Sequence, residues 1–397
     1  MVQVSARIAN LAVSETLAMS QKSNELKSQG INVINLSVGE PDFFTPEHIK
    51  KAAKQAIDDN FSFYTPVPGY LSLRQAICKK LERENGLSYK PEQIICSNGA
   101  KQAVCNALLA VVDPGDEVII PAPCWVSYVE MVKLAEGESR VIRTGIEQDF
   151  KINAAQLEAA ITPKTRAIVL CAPSNPTGSV YSKTELEALA NILAKYPNII
   201  IIADEIYEHI NYVGKHESIA QFENIRDRVV IINGVSKAYA MTGWRLGWMA
   251  APQWIASACN KLQGQYTSGP SSIAQKAAEA AYLGDQQCVV DMRDAFMRRR
   301  DLIVKLASEI EGFKVNKPEG AFYLFPECSY YIGKSYNGKK IETSADLAMF
   351  LLEEGHVACV GGLAFEAPDY IRFSYATSDE NIIEAMRRVK ETLSKLK

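Results

Sequence analysis

Ile199-Ile200-Ile201-Ile202-Ala203-Asp204-Glu205-Ile206-Tyr207 is the stretch that decides the fold. Its five leading apolar residues show no polar alternation, so a strand built from them is covered on both faces, as in a mostly parallel sheet between helices. The runs Gln93 to Ser97, Glu117 to Pro121, Arg166 to Ala172 and Val229 to Ile232 repeat the pattern, with helix-like segments between them. Ser182-Lys183-Thr184-Glu185 has the spacing of a capping box opening a helix to about Tyr196. The alternation predicts an α/β fold: a large domain with a mostly parallel sheet flanked by helices. Past Gly284, Val289, Met292, Phe296, Ile303, Leu306 and Ile310 recur at the spacing of one face of a long amphipathic helix. Strand candidates at Gly320 to Phe325 and Tyr370 to Tyr375 and a last helix from about Asp379 complete a smaller α+β domain. A first helix runs from about Ser14 to Gln29, closed by Gly30. The expected division is residues 1–45 as a segment packing on the small domain, 46–285 as the large domain and 286–397 as the small one.

A chain of 397 residues suits such a pair of domains. The formal net charge of −3 comes from interspersed charges, with no basic stripe for nucleic acid and no polybasic patch for a membrane. The expected partner is therefore a small molecule. Nine cysteines lie without metal-ligand spacing, mostly in apolar runs such as Ile94-Ile95-Cys96, and read as reduced core residues. With no signal-like start and no apolar window approaching ~18 residues, the expected compartment is the cytoplasm, and no metal is expected.

In open parallel sheets ligands gather at the carboxyl ends of the strands. Just past Val229 to Ile232 stands Ser236-Lys237-Ala238-Tyr239-Ala240-Met241-Thr242-Gly243-Trp244-Arg245-Leu246-Gly247. A lysine leaving a buried strand is placed to be desolvated, lose its proton and attack a carbonyl. Arg245 is suited to a phosphate, and the two together describe a Schiff-base site for pyridoxal phosphate. Asp204 would pair with a protonated pyridine nitrogen or else serve as a helix N-cap. Tyr207 can reach the ring's phenolic oxygen. In Pro173-Ser174-Asn175-Pro176-Thr177-Gly178, Asn175 offers both donor and acceptor, though the stretch also reads as a plain turn. At Asn98-Gly99-Ala100-Lys101, helix-start amides can cradle phosphate and Gly99 permits close approach. Trp125 can stack on a cofactor ring or pack in the core. Arg372 interrupts an apolar strand and needs an anion, either a substrate carboxylate or an internal partner.

Taken together, these stretches resemble the pyridoxal-phosphate-dependent class I and II aminotransferases of fold type I, from about Ser14 to the C-terminus. Val38-Gly39-Glu40-Pro41-Asp42-Phe43, Tyr64-Thr65-Pro66-Val67-Pro68-Gly69 and Arg372-Phe373-Ser374 join the stretches above in carrying the likeness. The resemblance implies Lys237 as Schiff-base lysine and proton shuttle, and Asp204 on the pyridine nitrogen. It implies Tyr207 and Asn175 at the ring oxygen, Trp125 on the ring face and Arg372 on the substrate carboxylate. Ser236, Arg245 and the amides near Ala100 would hold the phosphate of pyridoxal 5′-phosphate, with Gly39 lining the substrate site through its backbone. It further implies a homodimer with shared sites, Tyr64 and residues near Ser268 reaching the neighbouring subunit's phosphate, and cis peptides before Pro123 and Pro176.

Lys101 points to the substrate, because the chain resembles the Ib subgroup of aspartate aminotransferases, where a lysine there faces a distal carboxylate; the alternative is that Lys101 supports the cofactor phosphate. Ser14 and Thr16 are candidate hydroxyl donors beside it. The expected reaction is L-aspartate with 2-oxoglutarate by a ping-pong path. Aspartate/prephenate activity is the near alternative, and a carbon–sulfur lyase or cyclopropane-forming synthase on the same fold is a further one. A transcriptional sensor would need a basic DNA-binding addition, and a nicotinamide dehydrogenase a Gly-x-Gly-x-x-Gly after a strand; neither is present in the sequence.

Overall fold

The structure, a computed structural model, describes residues 4–13 and 15–397. Seven strands form the main sheet: β1 Ile94–Ser97, β2 Glu117–Ala122, β3 Glu138–Arg143, β4 Thr165–Cys171, β5 Ile200–Asp204, β6 Val229–Gly234 and β7 Gly247–Ala250. Their spatial order is β1-β7-β6-β5-β4-β2-β3. All neighbours are parallel except β7, which runs antiparallel to β1 and β6. The mostly parallel α/β sheet expected from the apolar runs is the one observed.

The double covering of β5 shows in its side chains. Ile201 and Ala203 enter one core with Leu73, Ile77, Leu186 and Leu189, while Ile200 and Ile202 enter another with Val104, Leu108, Ile255 and Cys259. Helices Leu71–Lys80 and Lys183–Leu193 cover the first face, and Ala100–Val111 and Gln253–Tyr266 the second. Each fully buried isoleucine contributes about 1.5–3 kcal/mol relative to exposure. The capping box at Ser182 forms as its spacing predicts: Ser182 N–H donates to Glu185 Oε2 at 2.7 Å and Glu185 N–H to Ser182 Oγ at 3.3 Å. Two strands go beyond the sequence reading. β3 is an edge strand that keeps Glu138, Arg140 and Arg143 among its residues and so shows no apolar run, and β7 lies at the end of the Lys237 stretch.

A separate core gathers Met292, Phe296 and Ile303 of the 22-residue helix Gln287–Ser308 with Phe322, Leu351, Phe373 and Val389. Met19, Val33, Ile34 and Leu36 of the N-terminal segment enter the same core. There, Ile34–Asn35 pairs in parallel with Val357–Ala358, and Ile371–Ser374 lies between Val360–Gly361 and Tyr323–Leu324 in an antiparallel sheet. The first long helix is Glu15–Ser28, and Ser14 lies outside the described residues. The peptides before Pro123 and Pro176 are cis, as is that before Pro173. All nine cysteines are free. Among the described residues, no helix is long and apolar enough to cross a membrane.

Candidate active site

A cavity of about 240 Å³ opens at the carboxyl ends of β4, β5 and β6. Gly39, Ala100, Lys101, Trp125, Asn175, Asp204, Tyr207, Ser236, Lys237, Arg245 and Arg372 all reach its wall, so eleven residues scattered over more than three hundred positions meet in one place. Thr16, from the first long helix, lines it as well.

Lys237 lies three residues past β6. Its amine donates to the Gly39 carbonyl at 2.5 Å and lies 5.8 Å from the centre of the Tyr207 ring. Burial pushes its pKa down to about 8, with Arg372 and Arg245 lowering it and Glu40 and Asp204 opposing. A desolvated ammonium among like charges releases its proton more readily. At pH 7 roughly a tenth of such an amine is neutral, against well under a thousandth at the ordinary value.

Asp204 ends β5, only 4% exposed. Its Oδ2 accepts from the Tyr128 hydroxyl at 2.6 Å and its Oδ1 from the Ile206 amide at 3.2 Å. Burial raises its pKa to about 6, and these two hydrogen bonds hold it below where burial alone would take it. No cationic side chain lies within ion-pair distance of it among the described residues, so an ionised Asp204 calls for a positive group in the cavity.

Arg372 crosses the small antiparallel sheet and is 2% exposed. Its Nη1 donates to Asn175 Oδ1 at 2.8 Å and its Nη2 to the Ser37 carbonyl at 2.7 Å, while Nε is buried with no partner. The guanidinium lies 4.5 Å from the Tyr323 ring and 4.8 Å from that of Phe365. No carboxylate pairs with it among the described residues, which rules out the internal salt bridge and leaves a buried cation facing an open cavity. Because Asn175 uses its oxygen on Arg372, its amide group is the donor left for a ligand. The Tyr207 hydroxyl shares a 2.7 Å hydrogen bond with that of Tyr323.

On the opposite wall, helix Ala100–Val111 begins with Gly99 at φ 83°. A Cβ on Gly99 would stand 2.3 Å from Arg245 Nη2, and one on Gly247 would stand 2.1 Å from the Ala100 amide nitrogen. Only glycine at both positions lets the guanidinium and the helix start close on each other. First-turn amides have no intrahelical acceptor, so this corner presents N–H donors, the Ser236 hydroxyl and a cation with no acidic partner among the described residues, which is the chemistry of an anion site. Among the described residues, Arg245 donates to the carbonyls of Thr242 at 2.9 Å and Asn98 at 3.2 Å.

At the mouth, Lys101 Nζ sits 4.8 Å from the centre of the Trp125 ring, its pKa lowered by burial and then by Arg245. Tyr64 is fully exposed and off this wall in the single chain. Tyr128, Tyr323, Thr242, Cys171 and Ile206 also line the cavity, although nothing in the sequence around them signals it. Tyr128 lies three residues after Trp125 and Tyr323 in a strand candidate, and aromatic residues in such settings read as core.

A cation for Asp204, an anion for the Arg245 corner and a carbonyl for Lys237 are the three demands of this cavity, and the pyridinium, phosphate and aldehyde of pyridoxal 5′-phosphate answer them. The Aminotransferase class I and II family model matches residues 31–389. An aspartate/prephenate aminotransferase of Nitrosomonas europaea is 47% identical over 396 residues, covering 99% of this chain and 100% of that protein. The crystal structure of the aspartate aminotransferase from Rhizobium meliloti superposes with a TM-score of 0.96 at 42% identity, covering all of both chains. The Thermus thermophilus aspartate aminotransferase with maleate superposes with a TM-score of 0.92 at 39% identity, covering 99% of this chain and 100% of that one.

Proposed function

Because this chain belongs to the class I and II aminotransferases, which depend on pyridoxal 5′-phosphate, we propose that its cavity moves the amino group of an acidic L-amino acid to a keto acid, with L-aspartate and 2-oxoglutarate as the pair. The observation that carries the acidic substrate is a pair of cations without carboxylate partners among the described residues, Arg372 buried in the interior and Lys101 at the mouth. A dicarboxylate has one anion for each.

In this reading Ser236, Arg245 and the amides of Ala100 and Lys101 hold the cofactor phosphate, joined by the partner subunit's Tyr64. Asp204 holds the ring nitrogen, Tyr207 and Asn175 face the ring oxygen, and Trp125 lies against the ring. When bound, the cofactor supplies an aldehyde that takes up the amino group and a cationic ring that stores the electron pair released at the substrate's Cα. The chain's own work is positioning and proton transfer. Arg372 grips the α-carboxylate, with its Asn175 and Ser37 bonds fixing the plane of the fork. Lys237 takes the Cα proton on Nζ and returns it, a role suited to an amine whose pKa lies near the working pH. Lys101 receives the distal carboxylate. The same reading makes the enzyme a cytoplasmic homodimer, with residues 1–45 and 286–397 forming the small domain over residues 46–285.

The Nitrosomonas europaea relative, named for both aspartate and prephenate, favours a second reading in which prephenate is also accepted. Initial rates with both substrates varied should give parallel double-reciprocal lines. Lys101→Ala should cut kcat/KM for L-aspartate by about tenfold to a hundredfold, the scale of one charge-assisted contact, and leave L-alanine within about threefold. Equal losses for the two donors would end the distal-carboxylate role of Lys101.

A further inference from the structure

Tyr128 is 1% exposed and is the second residue of the helix Ser127–Leu134, its backbone N–H bonded to the Trp125 carbonyl at 3.0 Å. That turn sends its hydroxyl 2.6 Å from Asp204 Oδ2 and sets its ring edge-on to Trp125, with centres 5.3 Å apart and planes at 86°. Lys101 Nζ lies 4.8 Å from the centre of the same Trp125 ring. One residue therefore touches the carboxylate at the floor of the cavity and the indole beneath the lysine at its mouth.

The Asp204 oxygens are shared unequally. Oδ1 accepts the Ile206 amide at 3.2 Å, whereas Oδ2 accepts the phenol at the much shorter 2.6 Å. A buried carboxylate without a cationic side chain stays charged only through such donors, and a hydrogen bond to a charged group is among the stronger ones in a protein. The phenol is also oriented from a helix rather than a loop, so it limits the carboxylate's rotation as well as its charge.

We propose that Tyr128 is a positioning residue for amino-group transfer, keeping the Asp204 carboxylate ionised and aimed into the cavity while its ring fixes the tilt of Trp125. This rests on the reading that Asp204 holds the cofactor's ring nitrogen.

Tyr128→Phe keeps the ring and its packing and removes only the donor. In the full-length enzyme it should weaken pyridoxal phosphate binding, measured by equilibrium dialysis, by about tenfold. The kcat for L-aspartate should fall by a similar factor with KM within about threefold. The deciding measurement repeats the substitution in an Asp204→Asn background, where the carboxylate charge is already gone and Tyr128→Phe should change cofactor affinity by less than about twofold. Equal tenfold losses in both backgrounds would show that the Tyr128 hydroxyl acts independently of the Asp204 charge and overturn the proposal, as would unchanged affinity and kcat in the parent background. An Asp204→Asn enzyme matching the parent in cofactor affinity and kcat would instead overturn the reading of Asp204, and this inference with it.

Discussion

Arg372→Lys tests the α-carboxylate grip at its most quantifiable point. The guanidinium serves Asn175 at 2.8 Å and Ser37 at 2.7 Å through two nitrogens, leaving Nε without a partner among the described residues. An ammonium keeps the charge but gathers its donors on one nitrogen, so it cannot hold both acceptors and still meet a carboxylate with two parallel bonds. One charge-assisted bond is worth about 1.5–3 kcal/mol, and a buried acceptor left without a donor costs about 1–3 kcal/mol. Taking the lower half of each range gives about 3–4 kcal/mol, a loss in kcat/KM on the order of 10²–10³. Single-turnover amino transfer, followed by the visible absorbance of the cofactor-loaded enzyme, should show this loss for L-aspartate and L-alanine alike, since both carry the α-carboxylate. A loss below tenfold would refute the grip. A loss for L-aspartate more than tenfold greater than for L-alanine would move Arg372 to the distal carboxylate.

Lys237 and Gly99 carry predictions of a different kind. The Lys237 amine, pushed down to about 8 by burial from an ordinary value of 10.5, is a charge the cofactor-free fold is strained to hold. That penalty is fully present below about pH 8 and fades as pH rises towards the unfolded value, so Lys237→Met should stabilise the cofactor-free protein at pH 7 by up to about 3 kcal/mol. Its advantage should vanish towards pH 10.5; denaturant melts showing a less stable variant at pH 7 would contradict the burial account. Gly99→Ala puts a methyl 2.3 Å from Arg245 Nη2 on a backbone at φ 83°, forcing the guanidinium away. Pyridoxal phosphate affinity should fall by about tenfold or more, at the scale of one charge-assisted contact, and unchanged affinity by dialysis would remove Arg245 from the phosphate corner.

What the sequence made legible follows from how local each signal is. Ile199 to Ala203 declares a doubly covered strand in its own composition, and Asp204 declares a site by following it. Lys237, Asn175 and Arg372 were readable for the same reason, each standing at the end of an apolar strand or within one. Tyr128 and Tyr323 were not, because what distinguishes them from core aromatics is a partner 76 and 116 residues away, Asp204 and Tyr207. Lys80 is a similar case: at the end of Leu71–Lys80 it is fully buried and ion-paired with Glu208, a partner 128 residues away. β3 escaped because an edge strand bears charged residues that hide its apolar pattern.

The backbone contacts at Gly234 and Gly247 have a further consequence. A Cβ on Gly234 would lie 2.8 Å from the Gly247 Cα, and Gly247 is pressed in turn against the start of helix Ala100–Val111. The chain that leaves β6 with Lys237 and re-enters as β7 after Arg245 is therefore clamped at both ends to the same few main-chain atoms as the helix. The backbone positions that carry the amine, the guanidinium and the helix amides are thus tied together by main-chain contact, so a single inserted residue there should misalign all three. Thr16 hangs from a separate N-terminal helix, and Lys101 reaches the mouth on a long flexible side chain. On the proposed reading the molecule divides into a fixed chuck for the chemistry and interchangeable jaws for the substrate, so new donors would be accommodated at the jaws without resetting the chuck.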